Sequence, residues 1–204
     1  RFMTKALSSK LHRLHVAIDE LHDQLNAREG PSASEMHERR IVERCVMQLQ
    51  VEFELFVRNF VLDCSTGRYT NSTGLVSTNL PNRFHNREKA CHYLLSRKGS
   101  KREPNWAIPQ QAINAAQTLQ LSNFADVSAE LGITPWEVDD LRYVRNYMAH
   151  RSKESAKKLR STKLAHHRNS IDPVAIVYST SPRGGKNFER WTAFIKGVSN
   201  RLVR

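Results

Sequence analysis

Three cysteines in 204 residues exclude the small, disulfide-framed secreted class. Cys45, Cys64 and Cys91 are widely spaced and odd in number. No Cys-x-x-Cys pair and no Cys/His zinc spacing is present. They read as reduced, mostly buried thiols of a cytoplasmic protein. No apolar run approaches the ~20 residues of a membrane helix, so no membrane partner is expected. No signal peptide is visible, and the Asn71-Ser72-Thr73 sequon carries no weight in a cytoplasmic reading. Neither a metal nor a cofactor is expected. Acidic residues are in short supply: 20 Asp and Glu stand against 32 Lys and Arg, a net charge of +12. Such a balance favours an anionic partner: RNA, DNA or anionic lipid.

The excess is local. Residues 142–168 hold nine Lys or Arg and one Glu, and residues 83–102 hold seven and one. Residues 19–63 reverse it, with five basic and ten acidic. A positive field confined to two segments suits a binding face better than a general solubility device.

What the chain has in plenty is helical periodicity. Leu7, Leu11, Leu14, Ile18, Leu21 and Leu25 recur at four-three spacing and predict a long helix over 3–28. His15 and His22 flank that seam as helix-surface histidines. After the break at Gly30-Pro31, Ser32-x-x-Glu35 reads as a capping box for a second helix to about Cys64. Val42, Val46, Leu49, Phe53, Phe56, Val57 and Phe60 line its apolar side. Glu54 beside them is a solvated flank residue or the partner of a buried arginine. Residues 65–82 read as a long loop, and 84–97, 109–121 and 124–131 as shorter helices. Thr134-Pro135-Trp136-Glu137 then combines a capping Thr, Pro at the first helical position and Glu at the third. This starts a helix over about 135–150. Residues 151–168 read as partly helical and weakly packed. Ile171–Tyr178 is an apolar run open to a short strand, and Ser181–Gly185 is a loop. Phe188, Trp191, Ile195, Val198 and Leu202 mark the last helix. The expectation is an all-α bundle of four or more long helices, one domain over 1–204.

The helix over 135–150 ends in Arg145-Asn146-Tyr147-Met148-Ala149-His150. Random placement of 21 Arg and 9 His yields about one Arg-x-x-x-x-His pair, and Arg87–His92 is that accident. Requiring Asn after the Arg lowers the expectation to about 0.06, and only Arg145–His150 passes. On a helical wheel Leu141, Val144 and Met148 share one side, with Arg145 at its edge. Asn146 and His150 lie opposite, with Asp139 and Tyr143. Histidine titrates near neutrality and can give or take a proton. Arginine stays charged and binds phosphate oxygens in a fork. Beside a cationic stripe, this set suits cleavage of an RNA phosphodiester. The bland alternative has Arg145 paired with an acid and His150 capping a helix C-terminus.

Arg145-Asn146-x-x-x-His150 late in a helical chain resembles the HEPN superfamily. The helix around Val51-Glu52-Phe53-Glu54-Leu55-Phe56-Val57-Arg58 is similar to the aromatic and acidic helix of stand-alone RiboL-PSP-type members. The resemblance covers roughly residues 40–204. It implies a homodimer with a composite active site and metal-independent endoribonuclease activity, in a toxin or a phage-defence effector. An antitoxin or defence-system partner protein is implied with it. Arg145, Asn146 and His150 would be the catalytic set, with Glu54 in support. Arg142, Arg151, Lys153, Lys157, Lys158, Arg160, Lys163 and Arg168 would bind RNA. Members controlled by AMPylation carry a Tyr two residues after the His. Ser152 stands there, so the resemblance does not extend to that control. Two other readings stay open: a catalytically inactive HEPN module that binds RNA or nucleotides, and a helical interaction protein with a basic face.

Overall fold

The seams close into helices at nearly every place where the periodicity puts them. The computed structural model describes residues 5–28, 32, 35–99, 101–133, 136–162, 164, 171–180 and 184–204. In order these form β1 (Lys5–Ala6), α1 (Ser8–Asn26), α2 (Met36–Cys64), β2 (Tyr69–Asn71), β3 (Gly74–Val76) and α3 (Arg87–Lys98). There follow α4 (Pro109–Thr118), α5 (Phe124–Gly132), α6 (Trp136–His150), α7 (Lys153–Arg160), α8 (Pro173–Tyr178) and α9 (Asn187–Val203). The protein is all-α with little strand. The expected signals at Gly30-Pro31, Thr134-Pro135 and Ser181–Arg183 lie outside the described residues, as do Lys163 and Arg168.

Backbone contacts divide the chain into two compact units. One comprises residues 1–14, 53–135 and 197–204, and the other residues 15–52 and 136–196.

In the first unit the apolar side of α2 continues through Phe53, Phe56, Val57 and Phe60, all buried. Ala90 and Leu94 of α3, Ala112, Ala115 and Ala116 of α4, and Val127 and Leu131 of α5 complete that core. α3 is capped at both ends: Asn86 accepts from Lys89 N, and Gly99 adopts φ 58 just past the last turn. Asp63, only 4 % exposed at its side chain, receives two bonds from Arg87 (2.6 and 2.8 Å) and one from Lys10. It thereby ties α1, α2 and α3 together. Removing the carboxylate leaves two cations facing each other near the core. Asp63→Ala should cost about 3 kcal/mol, the low end for a broken buried pair, because Arg87 keeps access to water. Denaturant unfolding checks this, and a loss below about 1 kcal/mol would remove the triad from the fold's supports. Glu103 is held by a two-pronged bond from Arg58 (2.6 and 2.8 Å), which draws its carboxyl down to about 2.

The same unit corrects one expectation. Residues 69–76 are a hairpin, not loop, and β2 also pairs in parallel with β1 (Lys5 with Tyr69, Ala6 with Thr70). Asn71 Oδ1 accepts from both the backbone and the hydroxyl of Thr73 across the turn.

In the second unit Ile18, Leu21 and Leu25 of α1 and Val42, Val46 and Leu49 of α2 are buried, together with Phe188, Trp191 and Ile195 of α9. Ser32 N donates to Glu35 Oε2 at 2.6 Å, the glutamate half of the expected capping box, just ahead of the first residue of α2, Met36. His22 packs against Phe188, ring centroids 5.3 Å apart. The run 171–178 is helix α8 rather than a strand. Asp172 accepts from Val174 N and Ala175 N, and Pro173 occupies the first turn where its missing N–H is not needed. Arg39 of α2 bonds Asp172 at 2.6 Å and so anchors α8 by its cap.

A candidate active site at the elbow of two helices

α6 packs against α7 and α8. Leu141, Val144 and Met148 are buried at four-three spacing, as the wheel requires. Near its start, Glu137 is buried and accepts from Arg190 of α9 at 3.0 Å, which fixes that end of the helix. At its other end the chain turns sharply. Arg151 N donates to Tyr147 O at 2.9 Å, and Arg151 itself sits at φ 44, the left-handed position that glycine usually fills. The arginine side chain is held by Glu43 of α2 at 2.6 Å.

α7 starts at once. Ser152 Oγ accepts from Ser155 N, and Ser155 Oγ accepts from Ser152 N, each at 3.1 Å. This reciprocal pair satisfies two backbone donors at the helix start. Ser155 and Leu159 face inward, leaving Lys153, Glu154, Lys157, Lys158 and Arg160 exposed. The segment expected to be weakly packed is therefore anchored by a cap and one buried leucine.

The elbow encloses a pocket of about 190 Å³ lined by Tyr143, Asn146, His150, Ser152, Glu154, Ser155 and Lys158. All seven belong to the second unit. Asn146 and His150 stand on this wall because they lie opposite the apolar seam. His150 is exposed, and its imidazole makes no hydrogen bond among the described residues. Lys158 donates to Glu154 at 2.7 Å, one turn back along α7, and this bond holds the Glu154 carboxyl below the usual carboxylate range.

Arg145 is half-buried and does not line the pocket. Its Nη1 donates to Asn146 Oδ1 at 3.0 Å, and its Nε is buried without a partner. Among the described residues no carboxylate pairs with it, which weighs against the bland reading of this arginine as one half of an ion pair. With its oxygen bonded to Arg145, the Asn146 amide has its two N–H donors left for the pocket. The amide can thus donate to an oxyanion in the pocket, with the Arg145 guanidinium bonded behind it.

The other expected residues divide. Arg142 bonds Asp139 at 2.6 Å and lies over the Tyr143 ring, 4.8 Å from its centroid. Arg151 is bound by Glu43, and Lys158 by Glu154. Lys153, Lys157 and Arg160 are exposed with no ion-pair partner among the described residues. Glu54 is half-buried on α2 and belongs to the first unit. The pocket also gathers Glu154 and Ser155, which sequence reasoning passed over. Their signal was the Ser152-x-x-Ser155 spacing immediately after a helix end.

Among the described residues no three His, Cys, Asp or Glu side chains gather as a metal-ligand set, and no helix is long and apolar enough to cross a membrane. All three cysteines are buried free thiols, and burial pushes Cys64 up to about 12. No protein-family model, curated protein or solved structure matches this chain, so the elbow's chemistry rests on its own residues.

Proposed function

We propose that the protein is a cytoplasmic endoribonuclease that cleaves RNA without a metal, at a site completed by a second copy of the chain. One observation carries the reading: Asn146 and His150 share a pocket with Lys158, and Asn146 is bonded to an arginine that has no acidic partner among the described residues. In this reaction a base takes the proton of a 2′-hydroxyl. The 2′-oxygen bonds the adjacent phosphorus, the bond to the 5′-oxygen breaks, and an acid protonates that oxygen. His150 has the chemistry for either proton step. Arg145 and Asn146 would hold the charge that develops on the phosphoryl oxygens. One His per motif leaves one proton step unfilled, and a twofold partner would supply it. The HEPN resemblance favours a toxin or phage-defence role for such an enzyme, answered by an antitoxin or defence-system partner.

A second reading is an RNA-binding module without catalysis. It is favoured by the position of Arg145, whose fork is turned to Asn146 and not into the pocket. Incubating purified protein with RNA in EDTA separates the two. Cleavage is expected. Binding without cleavage would leave the silent module, and neither would leave a helical interaction protein.

The exposed cations of α7 make a further expectation. Lys153, Lys157 and Arg160 would neutralise phosphates, each contributing about 0.7 to the log–log salt slope for single strands. Their joint replacement by Gln should shallow that slope by about 2 and weaken binding across sequences. An unchanged slope in a salt titration would take α7 out of the RNA path.

A further inference from the structure

Tyr143 stands one turn before Asn146 and two before His150, on the same wall of the elbow pocket. Asp139 holds Arg142 at 2.6 Å, and Arg142 lies over the Tyr143 ring at 4.8 Å from the centroid. Arg142 does not line the pocket, whereas Tyr143 does. One side of the ring is therefore occupied by a guanidinium, and Tyr143 also lines the pocket. The phenol makes no hydrogen bond among the described residues, so nothing there assigns its hydroxyl a structural task. A ring clamped on one side by a cation that is itself tethered is held in place before any ligand arrives, which lowers the ordering cost of stacking on it.

We propose that Tyr143 is a stacking platform for one nucleobase, placed so that the attached phosphate reaches Asn146 and His150, and that the site therefore takes single-stranded RNA. This deepens the reading of the pocket as an RNA site and rests on it. A base is free to leave its neighbours and lie on an aromatic face in a single strand. In an A-form duplex its faces are covered. Stacking of this kind tolerates sequence, because every base has a π-face. The tyrosine binds and positions, and the proton transfers stay with histidine.

The test uses the full chain and RNA that cannot be cleaved, so its outcome is separate from that of the nuclease reading. The probes are a 2′-O-methyl single strand, an all-abasic backbone of the same length, and a 2′-O-methyl duplex. Near-UV circular dichroism checks that each variant is folded. Tyr143→Ala should weaken single-strand binding roughly 5- to 150-fold. Tyr143→Phe should bind like the wild type, and the two proteins should bind the abasic backbone equally. Equal binding of the single strand by wild type and Tyr143→Ala would overturn the platform. So would a loss of the same size on the abasic backbone, or tighter binding of the duplex than of the single strand. Failure of wild-type protein to cut ordinary RNA, with the stacking loss intact, would refute the nuclease and leave the platform standing.

Discussion

His150→Ala is expected to lower RNA cleavage by ~10²–10⁴-fold while the fold survives, the usual loss when a proton-transfer group is removed. The side chain is exposed and unbonded among the described residues, so truncation removes no core contact. What remains is its place in the last turn of α6, where the helix dipole favours an imidazole only in its protonated form. A loss of activity with melting temperature nearly unchanged therefore speaks for chemistry. Arg145→Ala should lose a comparable amount. Arg145→Lys should not recover it, because a lysine cannot keep the bond to Asn146 and present a planar fork at the same time. If His150→Ala cleaves like the wild type in a nuclease-free preparation, the elbow is not the active site.

The second large effect concerns the shared site. Equal amounts of wild-type and His150→Ala chains, allowed to exchange, should retain about a quarter of the wild-type rate rather than half. Random pairing leaves about one dimer in four with two intact histidines. The geometric reason is the placement of Asn146 and His150 opposite the buried seam of α6, on the wall of an open pocket and not spent on the core. Two such walls facing each other across a twofold axis would bring two imidazoles to one phosphodiester. The exposed cations of both α7 helices would then flank one groove and focus RNA into it. The rate of the mixture against mutant fraction checks this. A linear decline, or a monomeric sedimentation mass under active conditions, would refute the shared site without touching the role of His150.

The helical layout was legible because burial writes a period into the chain. The four-three seams of α1, α2, α6 and α9 are long enough that each apolar residue supports the next. The hairpin was not legible. Its strands are three residues each, polar in β2, and one partner, β1, lies more than sixty residues away. α8 was readable in principle: Asp172-Pro173 is a helix start, but six apolar residues in a row carry no period to tell helix from strand. Nor was the two-unit division legible, because no linker composition marks it and the seams of α1, α2 and α9 run through both sets of residues without a break.

Within the candidate site, the wheel placed Tyr143, Asn146 and His150 on one face, and the pocket joins them. The return of α7 was hidden by a single residue. Arg151 holds a left-handed turn that glycine would have advertised, and only that turn brings Ser152, Glu154, Ser155 and Lys158 back towards His150. The partner of Arg145 was hidden for another reason. Sequence offers every nearby acid as a candidate, whereas the bond is made to the neighbouring amide of Asn146.

The most direct measurement is the chemistry of the ends left on RNA cut by the purified protein in EDTA. Attack by the 2′-hydroxyl, with proton transfer by histidine and charge held by arginine and amide, leaves a 2′,3′-cyclic phosphate and a 5′-hydroxyl. That is the expected product. A 3′-hydroxyl with a 5′-phosphate, or cleavage that appears only when magnesium is restored, would contradict a metal-independent site built on Arg145, Asn146 and His150.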